Sequence, residues 1–341
     1  MSIPYRTQQG LKRLAVVLLV VLLVAVLIWL CWLIWLNRFV TYTRDGAVLD
    51  MTQDQAAVLG EVAMPPSDEE TIPIYYNEGE NEVQVLSEMS KVTGYYISAS
   101  DLKKGDFQNI KARLRQLEPG TPVMLEIKDS FGAFYYSTSV DAPLAEGVDV
   151  AQVDDLIKYM NSMGLYTMVR LPALRDYSFG LTHTENGLFV PSGGYLWPDK
   201  DYRYWMNPDK SGTMNFLGEI AQEVKKLGFD EIVFCDFRFP DGSGYAYNGD
   251  KVQSLATAAK SLVEDYASSS FAVSFEYSEN FTYPGGKSRV YVLSAQAGLA
   301  EQIAESLATQ VDVTAYLVFI TDLYDTRFDD YGVLRPLTSV I

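Results

Sequence analysis

"GFDEIVFCDFRFPDG", residues 228–242, reads as one strand of a parallel sheet. Ile232 to Cys235 form an unbroken apolar run, the pattern of a strand covered on both faces. The run ends in Asp236, Arg238 and a Pro-Asp-Gly turn. An acid and a base at the end of a buried strand point to a site. Side chains alternate along a strand, so Asp236 and Arg238 share one face and Cys235 takes the other.

Similar runs lie on both sides. They are TGYYISA (93–99), PVMLEIKD (122–129), LYTMVRLP (165–172), EIVFCDFRF (231–239), FAVSFEY (271–277), RVYVLSA (289–295) and VDVTAYLVF (311–319). Helical patterns separate them. VDVAQVDDLIKYMNSMG has an Asp near its start and Gly164 after its end, and SGTMNFLGEIAQEVKKLG sets Phe216, Ile220 and Val224 on one face before Gly228. GDKVQSLATAAKSLVEDY and GLAEQIAESLATQ behave alike. Strands alternating with helices predict βαβ units, and about 250 residues from Val92 onward suit a (β/α)8 TIM barrel. Seven strands are legible. The eighth is not evident after Phe319, so the barrel is either incomplete or closed by IPIYY, residues 72–76.

Residues 14–36 carry no charge and are rich in Leu, Val, Ile and Trp. That meets the roughly 20 apolar residues a membrane span needs, and no small-residue cleavage pattern follows. The expected layout is a cytoplasmic tail (1–13), a transmembrane signal anchor (14–36), an acidic stalk (37–91) and the barrel domain (92–341). Between Arg44 and Lys91 there are eleven acids and no Lys or Arg. The slight excess of positive charge before the span places the C-terminal domain outside the cell membrane.

The net charge of −17 argues against nucleic acid as a partner. Cys31 falls in the span and Cys235 on the central strand, so the domain has no disulfide, which suits a bacterial surface. His183 is the single histidine and sits in a polar turn. No metal-ligand cluster, phosphate loop or nucleotide fingerprint appears, and no cofactor is implied.

The chain resembles a bacterial glycosyl-hydrolase-type TIM-barrel domain family, first described as a domain of unknown function. MLEIKDSFG, YTMVRLPALRD, LWPDKDYRYWMNP and above all GFDEIVFCDFRFP carry the resemblance. It implies a polysaccharide or oligosaccharide substrate. It also implies a strand-end acid three residues before Arg238, where this sequence has Cys235.

In such a barrel the site lies at the C-terminal strand ends. Those ends supply Glu126, Lys128 and Asp129, then Arg170 with Arg175 and Asp176, then Asp236 and Arg238, then Glu276. Glycoside hydrolysis needs two carboxylates. Asp236 is expected as nucleophile or base and Glu276 as acid, with Arg170 and Arg238 keeping Asp236 ionised. Glu126, Lys128, Asp129, Arg170, Asp176 and Arg238 are substrate-binding candidates. In the aromatic loop 175–208, Trp197 and Trp205 are candidate stacking platforms. Asp230 and Glu231, at the other end of the central strand, read as structural. The alternative is a catalytically inactive barrel that binds a glycan or a protein.

Overall fold

The computed structural model describes residues 22, 40–43, 46–49, 89–279, 282–293 and 297–339. The chain divides into two compact units, Met1–Asn81 and Glu82–Ile341. In the first, β1 (Val40–Thr43) and β2 (Gly46–Leu49) pair as an antiparallel hairpin. Apart from Leu22, the expected span 14–36 lies outside the described residues, as do 50–88 with the strand proposed at 72–76. Among the described residues no helix is long and apolar enough to cross a membrane.

The second unit is a closed parallel barrel of eight strands with helices between them, a TIM-type fold. Its strands are β3 (Thr93–Ile97), β4 (Pro122–Glu126), β5 (Tyr166–Pro172), β6 (Glu231–Cys235), β7 (Ala272–Glu276), β8 (Val290–Leu293), β9 (Leu317–Ile320) and β10 (Gly332–Pro336). The barrel is therefore neither incomplete nor closed by residues 72–76. β10 closes it, pairing with β3 on one side and β9 on the other. This segment, GVLRP, was hidden because Gly332, Arg335 and Pro336 break up its apolar pattern. The run 311–319 is also corrected. Asp312 caps a short helix at Val313–Tyr316, and only Leu317 onward is strand.

Alternation along the strands builds two layers. Val123 and Leu125, Val169, Ile232 and Phe234, and Val273 and Phe275 join the large core under the helices. Met124, Met168, Val233, Tyr291, Val318 and Leu334 form a separate cluster, the inside of the barrel. The helices form where their patterns predict. Asp149 accepts from Gln152 N at the start of Val150–Ser162, and Asp250 accepts from Val252 N and Gln253 N at the start of Lys251–Tyr266. Ser211–Lys226 buries Phe216, Ile220 and Val224, and the chain turns into β6 at Gly228 with φ of 89°. A side chain at Gly228 would be strained there and would meet Asn161.

The lower end of the barrel is sealed by a polar knot. Glu231, fully buried, is paired with Arg289 and accepts from Ser274, from Tyr166 Oη at 2.8 Å and from Tyr291 Oη at 2.9 Å. Arg289 Nη2 also donates to the Ser90 carbonyl at 2.9 Å. The structural role read for Glu231 fits this place.

Candidate functional site

At the upper end, inward parity brings Glu126, Arg170, Cys235 and Glu276 together. Arg170 lies opposite Glu126 in register on β4 and β5. Its guanidinium spans both acids. Nη1 reaches Glu126 Oε1 at 2.7 Å, while Nη2 and Nε reach Glu276 Oε2 at 2.6 and 3.1 Å. Glu126 Oε2 also accepts from Ala99 N at 2.8 Å. About a fifth of the Glu276 side chain (21%) remains exposed. Burial pushes its carboxyl above 4.5, ahead of the opposing pull of Arg170. Asp236 and Glu126 add to the rise.

Asp236 falls outside the strand parity. β6 ends at Cys235, and Asp236 has φ of 51°, the left-handed region. Asp is among the residues that tolerate it best. The twist ends the alternation, so strand parity does not decide the side that Asp236 takes. Cys235 senses Arg170, Glu276, Asp236 and Glu126, and Asp236 senses Arg175, Arg238 and Arg170. Cys235 keeps the inward parity of Val233, and Asp236 lies just past the strand end beside Arg238. Burial pushes the Cys235 thiol up, which keeps it neutral and unreactive. Burial also raises the Asp236 carboxyl above 3.8, against Arg175, Arg238 and Arg170. Arg238 Nε lies 3.9 Å from Asp236 Oδ1.

A family model described as "Putative glycosyl hydrolase domain" matches residues 94–276, more than half of the chain. The chain belongs to this family. The match to the glycosyl hydrolase domain runs from β3 to Glu276 and so contains the whole Glu126–Arg170–Asp236–Glu276 group. No curated protein matches the chain in sequence. Among solved structures, an α-galactosidase from Lactobacillus brevis is 10% identical with a TM-score of 0.50. That likeness covers 74% of this chain and 38% of the other, and it shows the shared barrel. A hypothetical protein from Ruminiclostridium thermocellum is 21% identical with a TM-score of 0.46, over 53% of this chain and 96% of the other. The glycoside hydrolase domain of PelA from Pseudomonas aeruginosa is 15% identical with a TM-score of 0.43, over 74% and 97%.

Other sequence candidates in the glycosyl hydrolase domain sit elsewhere. Lys128 and Asp176 form a 2.7 Å ion pair with both side chains fully buried. Lys128 Nζ donates to the Pro172 carbonyl and lies near the rings of Phe134 and Phe216, in the layer outside the strands. Asp176 also caps the short helix Tyr177–Thr182 by accepting from Phe179 N. The pair exposes no surface to a sugar, because β4 ends at Glu126 and the chain beyond it turns Lys128 into the layer outside the strands. Asp129 organises its own loop, accepting from Phe131 N, Ala133 N and Tyr135 Oη. Trp205 is 2% exposed, so it is a support and not an open platform. Trp197 is half-buried against Tyr245, with Gly244 packed on its indole nitrogen. His183 stacks on Phe179. Among the described residues no cluster of His, Cys, Asp and Glu is set to hold a metal ion.

Two mouth residues escaped the sequence reading. Tyr96 at the end of β3 senses Asp322, Glu126 and Arg170, and burial raises its phenol. The same parity rule would have found it from Gly94. Asp199 is the hub of the long loop. Its carboxylate takes Arg175 Nε at 2.7 Å, Trp205 Nε1 at 3.0 Å, and the N–H groups of Asp201 and Arg203 at 2.9 Å. Burial works to raise its pKa, but the contacts with Arg175, Arg203 N and Trp205 outweigh that, and the net direction is down. Arg175 and Arg238 both lie over the Trp205 ring, so Asp199 steadies the cations around Asp236.

Proposed function

We propose that the upper mouth of the barrel acts on a carbohydrate chain by two-carboxylate hydrolysis. One observation carries this reading. Asp236, the residue after β6, and Glu276, the last residue of the neighbouring β7, are both carboxyls that burial raises toward protonation. Glu276 is the acid. It gives its proton to the leaving glycosidic oxygen, and a raised pKa suits that role near neutral pH. Asp236 either attacks the sugar carbon or takes a proton from the attacking water. Arg175, Arg238 and Arg170 offset the cost of its charge. Both Arg170 contacts fall on Glu276 Oε2, and among the described residues Oε1 takes no protein hydrogen bond.

Glu276→Gln tests the assignment. Turnover on wall polysaccharide should fall roughly 10²–10⁴-fold, with the unfolding midpoint little changed. Hydrolysis equal to wild type would remove Glu276 from the role of acid. The same reading includes a surface location. The apolar stretch 14–36 would hold the domain at the outer face of the cell membrane, beside the wall. Protease added to intact cells should then remove the C-terminal domain, and its complete protection would place the domain inside.

A second reading is a barrel that binds a glycan without cutting it. Cys235 favours it, since a neutral thiol stands where the resemblance places the acid. So does the Arg170 clamp, which already engages Glu126 and Glu276. Glycan binding with no new reducing ends on any bound polysaccharide would select this reading.

A further inference from the structure

Beside the mouth, three segments meet in an aromatic ledge. Phe131, on the loop after β4, contacts Tyr177 edge to face at 6.3 Å, and Tyr177 stacks on Tyr204 at 5.3 Å. The guanidinium carbon of Arg203 lies 3.1 Å from the Phe131 ring centre. Backbone bonds fasten the segments together, with Tyr177 N donating to Ser130 O and Ser178 N to Phe131 O. Half of Phe131 is still exposed (52%). Arg203 N donates to Asp199, the same carboxylate that holds Arg175 near Asp236. The ledge is thus rigidly tied to the mouth without being part of it.

Arg203 differs from the other arginines here. Arg170 is paired with Glu126 and Glu276, Arg175 with Asp199 and Asp201, and Arg238 with Asp236 and Asp241. Arg203 has no carboxylate partner among the described residues. Nε donates to Ser130 Oγ at 3.3 Å and Nη1 to the Asp201 carbonyl at 2.6 Å. Nη2 meets no protein acceptor among the described residues. A planar cation laid on a ring, with donors to spare, matches a carboxylate attached to an apolar ring face. On a chain of net charge −17, a cation without an ion pair is a place where an anionic ligand can be held.

We infer that this ledge is a subsite for a sugar carboxylate, and that the glycan taken by the mouth contains uronic acid. Arg203 takes the carboxylate, and Phe131 supplies the apolar face beside it. The inference rests on the carbohydrate reading above.

The test uses calorimetric titration of the full-length chain. The probes are short oligomers of galacturonate, glucuronate and mannuronate, each beside its carboxyl-reduced counterpart. At least one acidic oligomer should bind about tenfold or more tighter than its reduced form, the range of a charge-assisted bond. Arg203→Met should erase that preference and leave the reduced form's affinity unchanged. Arg203→Lys keeps the charge without the planar fork and should retain only part of it. This second variant guards against a hairpin disturbed by the Met change. Phe131→Ala should weaken both forms. Equal binding of acidic and reduced oligomers, or a preference that survives Arg203→Met, overturns the ledge and leaves the mouth reading standing. Binding of no sugar in either set also overturns the ledge, and the mouth reading is then decided by Glu276→Gln.

Discussion

The lower end of the barrel holds a Glu–Arg pair from which solvent is shut out, and the upper end holds one that solvent reaches. Below, Glu231 takes Arg289, two tyrosines and Ser274, so each oxygen of the carboxylate is engaged. Above, Arg170 is shared by two glutamates, and both of its bonds to Glu276 fall on one oxygen. The same chemical pair is a plug when its shell is complete and a candidate acid when its shell is open. The enclosed pair should matter for stability and the open pair for proton transfer.

The strongest way to break this contrast is Glu231→Ala. It leaves Arg289 charged and buried without its partner, which costs about 3–5 kcal/mol. Denaturant unfolding of the barrel should show that loss. Glu276→Ala should cost distinctly less, since solvent already reaches the mouth. Equal costs would mean the two ends do not differ as described. Asp176→Ala probes a second enclosed pair and should rank with Glu231. It strands Lys128 in the layer under Phe134 and Phe216 and removes a helix cap.

The mouth itself contains a smaller comparison, between Asp236 and Asp199. The folded-state pKa of Asp236 is raised above 3.8 by burial. Its contribution to stability is fully present below 3.8 and is lost as pH rises through the folded value. Asp199 is lowered, so its contribution is present above 3.8 and is lost as pH falls through the folded value. Stability measured against pH should therefore move in opposite senses in two variants. Relative to wild type, Asp236→Asn should gain as pH rises from about 4. Asp199→Asn should lose over the acid range just below it. Parallel shifts in both variants would show that Arg175 does not divide the two aspartates as the geometry requires.

Much of this was legible in sequence. Seven strands, two helix ends and the placing of Glu126, Arg170 and Glu276 at strand ends follow from period and punctuation alone. β10 was not legible, because its pairing on both sides decides it where its composition does not. Lys128 lies past the end of β4, where alternation no longer fixes the face, and it packs in the layer outside the strands. A strand end is a tertiary fact, set at β6 by the left-handed turn of Asp236. The acid in CDFR thus stands on a left-handed turn past the strand end, where alternation does not decide its side. Asp199 lay inside a motif whose individual residues gave no hint that four donors converge on one carboxylate.

The smallest predicted effect compares Tyr202 and Asp236, the two left-handed residues among those described that are not glycine. Tyr202 has φ of 58° at the tip of the hairpin closed by Asp199, and its ring is 77% exposed. A bulky residue held there stores about 1–2 kcal/mol, and a glycine removes that strain while adding roughly 0.5–1 kcal/mol of unfolded-state entropy. Tyr202→Gly should therefore stabilise the fold slightly, by about 0.5–1 kcal/mol. Asp236 has φ of 51° but tolerates it better as an aspartate, and it is tied to Arg238. Asp236→Gly should gain less, or lose, because it frees the strand end while leaving Arg175 and Arg238 short of a carboxylate. A matched pair of unfolding curves separates the two. If glycine helps equally at both positions, the Asp236 turn is only a strained corner. If it helps at Tyr202 alone, the ion pairs hold the acid in place.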